Sequence, residues 1–248
     1  MSFFKSIVVS ALAAGIIAGA VLTGFQTLKV YPLIFEAEKF EVSEIDVSAH
    51  SHASEEEANT NHDHSQVSAQ AVPEDEEWMP ADGMERFFYS LNSNVILGIG
   101  LGLVLAAIFA LRGIIDWRQG VIWGVAGFVT VNLAPALGLP PELPGMPAGD
   151  LIARQMWWWS TVSSTAVGLA LIFLNPKTLL HIAGACLLVI PHVVGAPHPD
   201  SIESLVPANL AADFATASLA MNMIFWAILG AVIAMVLARL NRDEVSPA

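Results

Sequence analysis

Six stretches of this chain contain no Asp, Glu, Lys or Arg at all: 6–28, 87–111, 119–141, 155–176, 178–199 and 214–238. Each runs 22 to 25 residues. A helix needs about 20 apolar residues to cross a bilayer. In lipid only helices and closed barrels satisfy their own backbone groups. Barrel strands would read as short alternating segments, and these stretches do not alternate. The sequence therefore predicts an all-α, polytopic membrane helix bundle. Six spans fit best, with hydrophobic cores near 7–27, 92–111, 120–138, 155–174, 178–195 and 212–238. The stretch at 178–195 is short and bracketed by Pro176, Pro191 and Pro197, so five spans with a re-entrant segment there is the alternative. Lys5 before an apolar run also resembles a signal peptide. The run is longer than a signal core and no A-x-A site closes it, so an uncleaved first span is the expectation.

Only 13% of residues are charged, yet the net charge is −13. Residues 35–86 hold fifteen acids and two bases, which accounts for all of it. The bundle is neutral and one loop is strongly acidic. A chain without a basic patch is a poor match for nucleic acid. The organisation expected is a first transmembrane helix (1–34), an acidic loop (35–86), a five-helix membrane region (87–240) and a tail (241–248). The middle of the loop, 48–73, is rich in Ser, Ala, Glu, His and Asn. It has too little apolar surface to offset chain entropy and is expected to be disordered.

Orientation follows Lys and Arg in short loops. With the N-terminus inside, Lys5, Arg112, Arg118, Lys177, Arg239 and Arg242 fall on the inner side, and Lys29, Lys39, Arg86 and Arg154 on the outer. Both termini are then cytoplasmic, and the acidic loop and the loops 139–154 and 196–211 face outward.

Four of the seven histidines lie in the acidic loop, as His50-Ser-His52 and His62-Asp-His64. Paired imidazoles with carboxylates nearby suit labile binding of borderline divalent ions such as cobalt, nickel or zinc. The same pattern also fits a solvated acidic linker. Glu36 and Glu38 after the first span, Glu142 in a Pro-rich loop, and His192 and His198 at and beyond the end of the fifth span all gather at the outer face in this orientation. They are candidate entrance ligands, or else ordinary interfacial residues. Asp213, Asn132, Asn209 and Asn222 are polar groups in or beside apolar runs, where such groups are costly. Trp157, Trp158 and Trp159 read as an interface anchor. The glycine pairs 15/19, 98/102 and 120/124 have the spacing that lets helices approach closely, within the chain or between copies. The single Cys186 excludes an internal disulfide. No HExxH, GxSxG or GxxxxGK[ST] motif occurs, so nothing points to an enzyme.

Five segments, in order, resemble the CbtA family of predicted cobalt transporter subunits: Pro32–Glu38, Trp123–Phe128, Gly138–Gly145, Arg154–Trp158 and Pro191–Pro197. The resemblance implies a multi-pass protein of the bacterial inner membrane. It implies Co2+ as the transported ion; the loop histidines leave Ni2+ or Zn2+ as alternatives, and no cofactor is expected. It also implies a small single-span, histidine-rich partner (CbtB-like) beside the lipid. The rival expectation is a membrane sensor or assembly scaffold that binds metal without moving it, because the spans hold so few charged groups.

Overall fold

A computed structural model describes residues 3–40, 80–199, 201 and 203–245. These form six helices: α1 (Phe3–Phe40), α2 (Met84–Arg112), α3 (Trp117–Ala136), α4 (Leu151–Leu174), α5 (Thr178–Val194) and α6 (Ala208–Val245). No strand occurs among the described residues. Five of the helices are long and apolar enough to cross a membrane. The other, α5, has 17 residues, or about 25 Å at 1.5 Å per residue. It runs unbroken and does not turn back on itself. Pro191 sits in its last turn, and Gly195 closes it with φ 85°. Many large apolar side chains on the helices are outward and exposed, among them Ile96, Val104, Ile122, Val167 and Val193. That surface suits lipid and would be a liability in water.

Local signals set the helix ends. Asp116 accepts from the Arg118 N–H and caps α3, and Asp150 accepts from the Ala153 N–H at 2.8 Å and caps α4. A side-chain oxygen at this position satisfies a donor the helix itself leaves open. Gly113, with φ 69°, ends α2 in the left-handed conformation, which glycine adopts at no steric cost.

The helices pack in antiparallel pairs, and glycine makes each pair. In α1–α2, a Cβ on Gly15 would lie 2.5 Å from the Ile99 nitrogen, and one on Gly19 would lie 2.8 Å from Val95. In α3–α6, a Cβ on Gly124 would meet the Trp226 oxygen at 2.1 Å, and one on Gly230 would meet the Gly120 oxygen at 2.1 Å. In α4–α5, Gly168 and Gly184 face each other the same way. The three glycine spacings seen in the sequence are thus all consumed inside the chain.

The main core is drawn from α1, α2, α3 and α6, with Phe109, Phe225, Leu229 and Ile233 at its centre. No residue of α4 or α5 belongs to it. That hairpin docks on the C-terminal part of α3 instead. A second, smaller core lies at one end of the bundle. There Ala37 and Phe40 of α1 pack with Leu143, Val206 and Leu210. The end of α1 thus meets the start of α6. The two helices run in opposite directions, so the start of α1 and the end of α6 share the other end of the bundle.

Helix α1 passes through the boundary expected at 34 and continues to Phe40. Arg86 holds the extension: its guanidinium lies 3.3 Å from Glu38 and 5.1 Å from the centre of the Phe35 ring. Likewise α2 begins at Met84 and α6 continues to Val245, each a few residues beyond the apolar run.

Overpacking a close helix contact costs about 1–3 kcal/mol. Gly124→Val and Gly15→Val are expected to lower the unfolding free energy in detergent by that order. Gly100→Ala, where nothing lies within 4 Å, is expected to leave it unchanged or raise it slightly.

Candidate functional site

The end of the bundle that carries the second core also carries the sequence-derived site residues. Glu36 and Glu38 lie on the last turns of α1, and Glu142 lies in the loop before α4. His192 ends α5, and His198 follows it. The structure brings these segments to one face but does not converge them into a ligand set. No group of three or more His, Cys, Asp or Glu that could hold a metal ion occurs among the described residues. His50, His52, His62 and His64 lie outside the described residues.

Two of the carboxylates are held by arginine. Glu38 pairs with Arg86, which also reaches Asp82 at 3.3 Å. Glu142 accepts from Arg154 at 2.6 Å, each about one quarter exposed. The second pair ties the Gly138–Gly145 loop to the first turn of α4. Nearby, Trp157 is buried, where an interface anchor was expected. Its indole N–H donates to the Pro191 carbonyl at 3.2 Å, and its ring meets His192 edge-on at 6.0 Å. A Cβ on Gly138 would strike that same indole at 2.5 Å. Loop, α4 and α5 are therefore one interlocked cap. Trp159 remains 63% exposed, as an interface residue would. Glu36 is exposed on α1, and His198 passes against Gly149.

Deeper in the bundle lies a feature that charge counting does not reveal. A cleft of about 390 Å³ opens between α1, α2 and α6. Its polar lining includes Gln26, Ser90, Ser93, Asn94, Ser218 and Asn222, and no charged side chain. Asn94 donates its amide N–H groups to Thr23 Oγ1 at 2.9 Å and Gln26 Oε1 at 2.6 Å. Thr23 Oγ1 in turn donates to the Gly19 carbonyl. Tyr31 also bonds Ser90 across α1 and α2. Of the polar residues flagged in the sequence, Asn222 lines this cleft, while Asn132 accepts from the Trp226 indole at 2.8 Å on the α3–α6 side.

The cleft coincides with a widened turn in α1. Residues Gln26–Val30 form a π-helical turn, and α3 has another at Val129–Leu133. In each, the second residue is a threonine that donates to the carbonyl four residues back: Thr27 to Thr23 and Thr130 to Ala126. Such back-bonding competes with the backbone ladder and bends helices. Single π turns inside α-helices occur frequently at functional sites. The sequence signal for this was present in Gln26-Thr27 and Val129-Thr130, but those pairs are too common to single out unaided.

Interhelical hydrogen bonds in membranes average about 0.6 kcal/mol, with a maximum near 1.7. A double-mutant cycle of Asn94→Leu with Thr23→Val, read by unfolding in detergent, is expected to return a coupling of roughly that range. A coupling of zero would remove the α1–α2 amide clamp.

A family model described as "Probable cobalt transporter subunit (CbtA)" matches residues 4–238. No curated protein and no solved structure matches the chain.

Proposed function

Since the chain belongs to the CbtA family of probable cobalt transporter subunits, we propose that it is the membrane subunit of a divalent-cation uptake system with Co2+ as its cargo. The match over residues 4–238 carries this reading. The multi-pass bundle supports it. The protein sits in a bacterial inner membrane with both termini in the cytoplasm. A small single-span, histidine-rich subunit works beside it.

The first step is capture. The acidic loop 35–86 faces outward and carries the chain's whole net charge. Clustered charge of one sign creates potentials of several kT at a surface, and a divalent ion feels that field twice over. The field fades within a Debye length, about 8 Å at physiological salt. Capture therefore acts on ions already at the loop. His50, His52, His62 and His64 add preference for cobalt, nickel or zinc over magnesium and calcium, which favour oxygen.

Transfer follows at the end of the bundle. Glu36 is exposed there and available to an incoming ion. Glu38 and Glu142 are engaged by Arg86 and Arg154, so a cation meets them only by competing with a guanidinium. His192 and His198 stand on the same face. The ion is driven inward by the membrane potential, worth about 2.3 kcal/mol per charge per 100 mV, or by the partner subunit.

The test is cobalt flux into proteoliposomes with and without the small subunit. Uptake is expected only above the background of empty vesicles and to rise when the partner is present. Binding without movement in both preparations would replace transport with a sensor or scaffold role. Deleting residues 48–73 is expected to raise the half-saturating cobalt concentration severalfold and leave the maximal rate unchanged. That shift should shrink at 1 M salt, where the Debye length is about 3 Å, to the part that the four histidines contribute by coordination.

A further inference from the structure

We propose that the cleft between α1, α2 and α6 is the intramembrane site of the cargo cation, and that it holds the ion with its water shell intact. This rests on the transport reading above and supplies a route into the bundle. Three observations carry it.

The first is size. At about 30 Å³ per water, a cleft of about 390 Å³ holds roughly a dozen waters. An octahedral cation with its six waters fits with room to spare.

The second is the polarity of the lining. A hydrated cation presents outward-facing O–H donors, so its complement is a set of acceptors. Asn94 spends its amide N–H groups on Thr23 and Gln26. The Thr23 hydroxyl is itself committed to donating to Gly19, which fixes the amide in that orientation. Asn222 spends one amide N–H on the Ser218 carbonyl at 2.9 Å, which can only accept. Asn94, with both N–H groups spent, is left with its carbonyl oxygen alone, while Asn222 keeps its carbonyl oxygen and one N–H, and Gln26 keeps its amide nitrogen. The serine hydroxyls of Ser93 and Ser218 add further oxygens. No Lys or Arg lines the cleft, so nothing there attracts a phosphate or other anion.

The third is the absence of inner ligands among the described residues. With no cluster of His, Cys, Asp or Glu in the bundle, a bare divalent ion would lose its hydration without replacement, at a cost of tens of kcal/mol. An ion that keeps its first water shell needs no inner ligands and loses less of its hydration than a bare ion would. The site also has the right reach. Asn94 lies ten residues into α2 and Asn222 fourteen into α6, about 15 and 21 Å along the axes. The cleft thus leads from the capturing end toward mid-membrane. Outer-sphere contacts do not discriminate among hydrated divalent ions, so choice of metal belongs to the loop or the partner.

The test uses the full chain with its only thiol removed, Cys186→Ser. Ser218→Cys and Ser93→Cys place a thiol in the cleft with little change of size. Ile96→Cys, on the exposed face of α2, is the lipid-side control. A small water-soluble thiol reagent is applied in proteoliposomes with and without hexaamminecobalt(III), an inert octahedral cation that cannot exchange its ligands. The cleft thiols are expected to label, and the cation to slow labelling at least threefold; Mg2+ should protect comparably. Ile96→Cys should label poorly with or without cation. Labelled Ser218→Cys should then carry cobalt at less than one tenth of its unlabelled rate. Labelling that no cation slows, or unchanged flux after labelling, overturns the proposal. Protection by Co2+ but not by the hexaammine overturns the hydrated form. If the parent moves no cobalt while the hexaammine still protects, transport fails and the cation site stands.

Discussion

The close approach of helix backbones at glycine is the constraint on which this bundle depends. Lipid is as apolar as leucine, so burial of side chains does not drive helices together within a membrane. Contact has to come from backbone proximity, dispersion and hydrogen bonds. Gly15 and Gly19 let α1 lie against α2, Gly120, Gly124 and Gly230 do the same for α3 and α6, and Gly168 and Gly184 for the α4–α5 hairpin. Each pair brings two spans of opposite direction together without large side chains between them. Once these pairs exist, Phe109, Phe225 and Leu229 fill the space between α1, α2, α3 and α6.

That arrangement leaves polar groups to be satisfied by one another. Asn94 clamps α1, Asn132 takes the Trp226 indole, and Trp157 donates to Pro191. At the loop end the same logic is carried by ion pairs, with Arg86 on Glu38 and Arg154 on Glu142. Partly exposed pairs of this kind contribute little stability, commonly below 1 kcal/mol. Their effect is positional: Arg86 carries α1 past the apolar run, and Arg154 fixes the proline-rich loop over the hairpin. Two carboxylates that look in sequence like metal ligands are thereby tied to neighbours.

Much of the fold was legible because its cause is periodic and additive. Charge-free runs of membrane length predict spans, and the observed helices coincide with all six runs. The candidate site was legible only in part. Glu36, Glu142, His192 and His198 do gather at one end of the bundle, as alternation of helix direction requires. Their mutual distances and arginine partners depend on contacts between residues far apart in the chain. The cleft was less legible still, since Gln26, Asn94 and Asn222 are neutral and lie on three different helices.

Sequence alone determined that the chain is a neutral helical bundle joined to one acidic segment, because length and hydropathy decide whether backbone groups can enter lipid. It also placed small residues where helices could meet. Only the tertiary structure decided which helices those glycines join, that α4 and α5 stand outside the main core, and that polar side chains from α1, α2 and α6 share one cleft. The reason is physical: apolar runs carry no information about partners in a solvent that is itself apolar. Partner choice rests on a few close contacts and hydrogen bonds between distant residues.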